Sequence, residues 1–233
     1  MLCERWLSIK KLYRNDINRV KVSVIMEIPK VIFQTSYLKQ PQYVVDMILE
    51  KAPEYHYEHF TDKTIIQFFI NNPLEEFPFV VNLFHRLKFG AHKADLFRYY
   101  YLYIKGGIFI DSDAMIETNI ENIVGNNAFF SVNSYIEGTI FQGFIGCSPR
   151  NPIIYEALND IYTIDVENLT KNYHLVTANL YTIIKEGVFD FENKLFRELE
   201  SDGEKAVTVN DFGEPILIHY WKHKVIPKNR LDI

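Results

Sequence analysis

Gly106-Gly107-Ile108-Phe109-Ile110-Asp111-Ser112-Asp113 is the stretch that decides how this chain is read. Ile108 to Ile110 form an apolar run too short for a helix and rich in strand-forming residues, which predicts a short, fully buried strand. The glycine pair before it suits a helix end, where a left-handed residue closes the last turn. Upstream, Ala91 to Ile104 is crowded with Tyr, Leu and Phe and predicts that helix. In open α/β sheets, ligands bind beyond the carboxyl ends of strands, where Asp111 and Asp113 would stand. Residues two apart in an extended segment project to one side, so the two carboxylates could share a hard divalent cation, and a cation there could bridge a diphosphate. The plain alternative is a solvated turn, because Asp and Ser are common turn formers.

Outward from this centre, strands and helices alternate. Ile28-Pro29-Lys30-Val31-Ile32-Phe33-Gln34-Thr35 predicts a first strand, residues 42–51 a helix, Tyr55 to Phe60 a second strand, and Thr61-Asp62 the cap of a further helix. From Phe77 to about Lys105 the pattern is helical, with a break at Gly90. Beyond the aspartates, strands are expected at Ala128 to Asn133 and Thr139 to Gly146, and a helix at Ile153 to Ile161. Helices are expected near 172–186 and 191–200, then strands at Ala206 to Val209 and Ile216 to Tyr220. This alternation, with no repeat, predicts an α/β layer fold on a mostly parallel sheet.

The 233 residues suit one core, taken as a single domain over 25–233. Residues 1–24 combine Arg5, Lys10, Lys11, Arg14, Arg19 and Lys21 with a Leu2, Trp6, Ile9, Tyr13 stripe at helical spacing. That predicts an amphipathic helix, either docked on the domain or lying on an anionic membrane surface. A net charge of -5 argues against a general nucleic-acid binder and requires any anionic ligand to have a local site. Cys3 and Cys147 make neither a disulfide framework nor a zinc site, which favours a reducing compartment. No apolar run reaches the roughly 18 to 20 residues needed to cross a bilayer, and no signal peptide is visible, so the expected setting is cytoplasmic, in a bacterium or a virus-infected cell.

The segment Ala94-Asp95-Leu96-Phe97-Arg98-Tyr99, Leu102-Tyr103 and Gly106 to Asp113 resembles the DXD sugar-binding region of glycosyltransferase family 32, which holds yeast initiating mannosyltransferases and bacterial capsule and toxin-like enzymes. Ile28 to Thr35 is similar to that family's opening strand. The resemblance implies a GT-A fold, a UDP- or GDP-sugar donor, a divalent metal (Mn2+ or Mg2+), a glycan or protein acceptor, and transfer of a hexose or N-acetylhexosamine with retention. By position it implies that Asp95 and Arg98 meet the donor sugar and phosphate. Asp111 would meet ribose and metal, Ser112 would lie with it on the donor, and Asp113 would meet the metal. Phe33, Gln34 and Thr35 would flank the base. An arginine and a metal suit this chemistry, because leaving-group departure puts negative charge on a nucleoside diphosphate. The alternative for Asp95 and Arg98 is a helical i, i+3 ion pair.

A further metal ligand is expected from the late segment Ile218-His219-Tyr220-Trp221, which resembles the family's C-terminal histidine motif, with His219 first and His223 second. The family's closing Ser-Trp is replaced by Lys224-Val225, and the histidine and tryptophan of its opening strand by Phe33 and by Ser36 or Tyr37. Gln142-Gly143-Phe144-Ile145-Gly146 resembles a family segment beside the donor sugar, with Gln142 in place of asparagine. Two other functions fit less of the chain. A degenerate sugar-binding protein of the same fold would be free to lose the acidic residues and Arg98, which are present. A haloacid-dehalogenase-like phosphohydrolase also ends a strand in D-x-D, but its strand lies near the domain start and a Thr or Val stands where this chain has Met115.

Overall fold

The computed structural model describes residues 26–200, 203–222 and 226. The helix expected over 1–24, and His223, lie outside the described residues. Strands run at Val31–Thr35 (β1), His56–Phe60 (β2), Gly107–Ile110 (β3), Ala114–Ile116 (β4), Phe129–Asn133 (β5), Ile140–Cys147 (β6), Asn193–Glu198 (β7), Ala206–Val209 (β8) and Pro215–His219 (β9). Helices run at Gln42–Lys51 (α1), Asp62–Asn71 (α2), Val80–Arg86 (α3), Gly90–Lys105 (α4), Glu121–Val124 (α5), Pro152–Thr163 (α6), Val166–Lys171 (α7) and Leu175–Glu186 (α8).

The strands form one nine-stranded sheet in the order β2-β1-β3-β6-β5-β7-β8-β9-β4. The α/β class is as expected, but the sheet is mixed rather than mostly parallel. β1 is parallel to β2 and β3, and β5 to β7, whereas β3–β6, β5–β6, β7–β8, β8–β9 and β4–β9 are antiparallel. Parallel pairing needs a long crossover, and after Asp113 the chain mostly returns through shorter loops that favour antiparallel neighbours. A second correction concerns 191–200, expected as a helix: residues 193–198 are strand β7. Phe196 and Glu198 are buried while Arg197 between them is exposed, so the segment follows the two-residue period of a strand pairing with β5 and β8.

Inner strands are apolar on both faces because both faces are covered. Phe33 and Phe109 enter one cluster, with the aromatic residues of α4 and the apolar faces of α6 and α8. Ile32, Ile108, Ile110 and Phe144 enter the other, with Val44 and Ile48 of α1. A fully buried Phe or Ile stabilises by about 1.5–3 kcal/mol, so β1 and β3 anchor the domain core. At α2, the Thr61 backbone N–H donates to Thr64 Oγ1 at 2.8 Å, one half of a capping box.

The link between β3 and β4 sets up the site. Only Asp111, Ser112 and Asp113 separate these strands, yet β4 is the far edge of the sheet. Four residue steps cannot span more than about 14 Å. The sheet must therefore curl until the β9–β4 edge comes back beside the end of β3. Backbone bonds pin the link at both ends: Asp111 N–H donates to Gly143 O at 2.7 Å, and Tyr220 N–H to Asp113 O at 2.8 Å.

Candidate active site

Helix α4 and strand β3 bring the first residues together. Gly106 at the C-cap has φ 67° and Gly107 φ 101°. A Cβ on Gly106 would lie 2.8 Å from Cys147 O, and one on Gly107 2.9 Å from Val31 O, so the reversal from helix to strand admits glycine at both positions. The chain thus doubles back, and the side chains of Asp95 and Arg98 reach the carboxyl end of β3.

Arg98 is the hub. Its guanidinium lies over the Phe109 ring at 4.2 Å, and Nη1 donates to Gln142 O at 2.6 Å. Nη2 faces Asp95 Oδ1 at 3.3 Å and Asp111 Oδ1 at 3.5 Å. Gln142, its amide oriented to satisfy its neighbours, donates to Tyr99 Oη at 2.6 Å and Asp95 Oδ1 at 3.2 Å, and accepts from Thr177 N–H at 3.1 Å. The i, i+3 pair expected as the plain alternative is therefore present, but it belongs to a larger network that also holds Asp111.

The curl supplies the third group. Asp111, Asp113 and His219 each offer a ligand atom within 4.8 Å of one another. His219 Nε2 stands 3.6 Å from Asp113 Oδ1, and its ring stacks on Phe141 with centroids 4.5 Å apart. Two carboxylates and an imidazole are oxygen and nitrogen donors that suit manganese or magnesium better than soft ions, so the residues fit a divalent cation.

The charge balance points the same way. Asp95, Asp111 and Asp113 face the Arg98 guanidinium and the imidazoles of His219 and, at Asp95, His92. Burial raises the Asp111 carboxyl above its ordinary range, Arg98 offsets this in part, and Asp113 adds to it. Burial likewise raises Asp95, with Arg98 and His92 pulling against it. Arg98 does not hold Asp95 low because burial outweighs its pull, and Asp111 adds to the rise. For His219 burial alone would lower the value, but Asp113, then Asp111 and Glu198, outweigh it and hold the imidazole above its usual range. The raised carboxyls and the raised imidazole both reflect acidic groups crowded together in a partly buried cluster.

These residues line a cavity of about 520 Å3, within the range of small-ligand sites. Asp95, Arg98, Asp111, Asp113, Gln142 and His219, all expected from sequence, meet on its walls. Four other expected residues do not. Phe33 is fully buried against Tyr101, with ring centroids 4.0 Å apart, so its side chain faces the core. Gln34 is also buried: its Nε2 donates to Asp111 O at 2.9 Å, and its Oε1 accepts from Tyr57 at 2.8 Å. It fixes the DXD backbone from behind. Thr35 is half-buried at the end of β1, and Ser112 is half-buried with its carbonyl accepting from Gln40 Nε2 at 3.0 Å.

Sequence reasoning missed Phe141, Glu198 and the loop carrying Ser134 and Tyr135, which also line the cavity. Glu198 Oε2 accepts from Ser134 Oγ at 2.8 Å and from Tyr135 N–H at 3.3 Å. The only sequence signal for Glu198 is an acidic residue in phase with buried Phe196, visible once 193–198 is read as a strand.

The domain is thus an α/β fold whose paired-aspartate motif leaves an inner strand into a cleft. Comparison with known proteins adds to this. Residues 39–130 match the model of the glycosyltransferase sugar-binding region containing the DXD motif. Mannosyl phosphorylinositol ceramide synthase SUR1 of Saccharomyces cerevisiae is 28% identical over 142 residues, covering 59% of this chain and 36% of that protein. An uncharacterized glycosyltransferase of Acanthamoeba polyphaga mimivirus is 30% identical over 119 residues, 48% of this chain and 46% of that one. The chain spans less than half the length of these relatives. Among solved structures, the PaToxG glycosyltransferase is similar at 15% identity and a TM-score of 0.47 over 68% of each chain.

Proposed function

We propose that this domain is a metal-dependent glycosyltransferase that moves a hexose or N-acetylhexosamine from a UDP- or GDP-sugar to a glycan or protein acceptor, with retention. The observation that carries the reading is the convergence of Asp111, Asp113 and His219, from two distant parts of the chain, on one point of the cleft beside Arg98. Mn2+ or Mg2+ would be held by these three residues, and when bound it supplies Lewis-acid stabilisation of the departing diphosphate.

The chain's own residues do the rest. Arg98, in place and nearly buried, directs positive charge at oxygens that become more negative as the sugar leaves, so its effect grows toward the transition state. Asp95, locked by Arg98 and Gln142, would present its remaining carboxylate oxygen as an acceptor to sugar hydroxyls. Gln34 and Gln40 hold the carbonyls of Asp111 and Ser112, which keeps the carboxylates aimed into the cleft. The base would then meet the end of β1 near Thr35 and Tyr37, which is 91% exposed, rather than the Phe33 ring.

No described helix is long and apolar enough to cross a membrane. A cytoplasmic setting remains part of this proposal. The test is hydrolysis and thermal stabilisation across UDP- and GDP-sugars, each with manganese or with chelator. Dependence on both metal and one donor is the expected result, and donor turnover that ignores chelator would overturn it.

A further inference from the structure

The opposite end of the sheet carries a cavity that the reading above does not use. β1, β2, β3, β5 and β7 all run the same way, because β6 is antiparallel to both β3 and β5. The candidate active site lies toward their carboxyl ends, and a cavity of about 610 Å3 lies at their amino ends. Lys30 stands just before β1, Tyr55 before β2, Ala128 before β5 and Glu192 before β7, and all four line it. The two cavities have no described lining residue in common.

The floor and the rim of this cavity differ in polarity. Ile28, Tyr55, Val124 and Ala128 are buried and give it an apolar floor. Glu27, Glu121, Asp190 and Glu192 are exposed around them. Lys30 is the one cation among the described lining residues, and it is already paired with Glu54 and, at 3.0 Å, with Glu121. Among the described residues no cation pairs with Glu27, Asp190 or Glu192. Like charges gathered on one rim repel one another and favour a cationic occupant.

The described chain begins on this same wall. Met26, Glu27 and Ile28 line the cavity, so the residues before Met26 depart from its edge. Residues 1–25 hold six cations, Arg5, Lys10, Lys11, Arg14, Arg19 and Lys21, against Glu4 and Asp16. That is a surplus of four positive charges in a chain whose total is -5, so the remainder carries -9. Five residue steps span at most about 18 Å, which keeps Lys21 close to the rim. The Leu2, Trp6, Ile9, Tyr13 stripe matches an apolar floor as the cations match an acidic rim, the complementarity of an amphipathic segment in a groove. A covalent tether also raises the local concentration of the segment to about the millimolar range, so individually weak contacts suffice.

We propose that this cavity is the docking groove for the chain's own residues 1–25, with the apolar stripe toward the floor and the cations on Glu27, Asp190 and Glu192. The docked segment is held at the end of the sheet opposite the cleft, and the inference stands whether or not the transferase reading does.

The test is limited trypsin digestion of the full chain at low salt, following cleavage after Arg14, Arg19 and Lys21 by mass spectrometry. The triple variant Glu27→Gln, Asp190→Asn, Glu192→Gln changes exposed side chains almost isosterically, so it retains the fold and removes the acidic rim. Cleavage in it should be at least about fivefold faster than in wild type, the scale of losing two or more surface ion pairs, and the ratio should shrink toward one in 0.5 M NaCl. Trp6→Glu, which charges the stripe, should speed cleavage by a similar factor. A rate unchanged in one or both variants would overturn the proposal. So would wild-type cleavage that slows as protein concentration rises, which would make the occupant a second copy. Phosphatidylserine vesicles should slow cleavage in the triple variant more than in wild type; equal slowing in both would assign the segment to an anionic membrane surface and overturn the docking.

Discussion

The imidazole of His219 lies against the ring of Phe141, centroids 4.5 Å apart and planes inclined by 28°. Phe141 belongs to β6, next to the strand that ends in the aspartates, so this stack joins the returning edge of the sheet to its centre. It fixes the plane in which Nε2 faces Asp113.

That stack predicts a metal effect without an exchange of ligands. Phe141→Leu should leave the protein folded and lower manganese affinity by about 3- to 10-fold, because the imidazole loses its orienting surface. Calorimetric titration with MnCl2 measures it. Affinity equal to wild type would show that Phe141 does not orient His219.

Gly143 faces the same corner. A Cβ there would stand 2.2 Å from Phe141 Cζ and 2.3 Å from Asp111 Oδ2. Gly143→Ala should cost about 1–3 kcal/mol in denaturant unfolding and displace the Asp111 carboxylate, so metal binding should weaken together with stability. A fully stable variant with normal metal binding would mean that the corner is roomier than these distances state.

Arg98 is buried between two carboxylates, with its own side chain 5% exposed. Arg98→Met leaves Asp95 and Asp111 without their cation and should destabilise by about 3–5 kcal/mol. Asp95→Asn relieves part of that repulsion, so the double variant should be more stable than the sum of the two changes predicts. A double-mutant cycle by urea unfolding gives the coupling, and simple additivity would contradict the shared network.

Titration should reveal the crowded acidic groups. Asp95, Asp111 and Glu198 are raised chiefly by burial, so the unfolded chain ionises them first and the metal-free fold loses stability as pH rises above the ordinary carboxylate range. His219 is also raised, and its contribution is present below its unfolded value and lost as pH climbs through its folded one. The melting temperature of the chelated protein should therefore decline between about pH 5 and 8, and saturating manganese should flatten or reverse that decline. A chelated protein that gains stability over this interval would contradict these shifts.

Much of the site was legible because its signals are local. The glycine pair, the three apolar residues of β3 and Asp111-Ser112-Asp113 are contiguous, and Asp95 and Arg98 lie one helical turn apart just upstream. His219 was reached through resemblance to a late motif, while its distance from Asp113 depends on the curl of the sheet. The direction of β6 and β8, and the strand at 193–198, were not legible. Asn193 to Glu198 has mixed polarity that also suits a helix, and pairing with β5 makes it a strand. Glu198 was lost with that strand. The inward turn of the Phe33 ring was not legible for a related reason: a strand buried on both faces leaves no open side for it.

Asp111, Asp113 and His219 are proposed to hold a divalent cation needed for donor turnover. The most direct measurement is thermal unfolding and donor hydrolysis of wild type and Asp113→Asn across UDP- and GDP-sugars, with MnCl2 or with EDTA. At about a hundredfold excess over Kd, manganese should stabilise the wild type by about 2.7 kcal/mol, a rise of roughly 5–10 °C in Tm for a domain of this size, and should switch on hydrolysis of one donor. Asp113→Asn should fold, lose most of the rise and lose the hydrolysis. Equal manganese response and equal hydrolysis in the variant, or hydrolysis that persists in EDTA, would contradict the account.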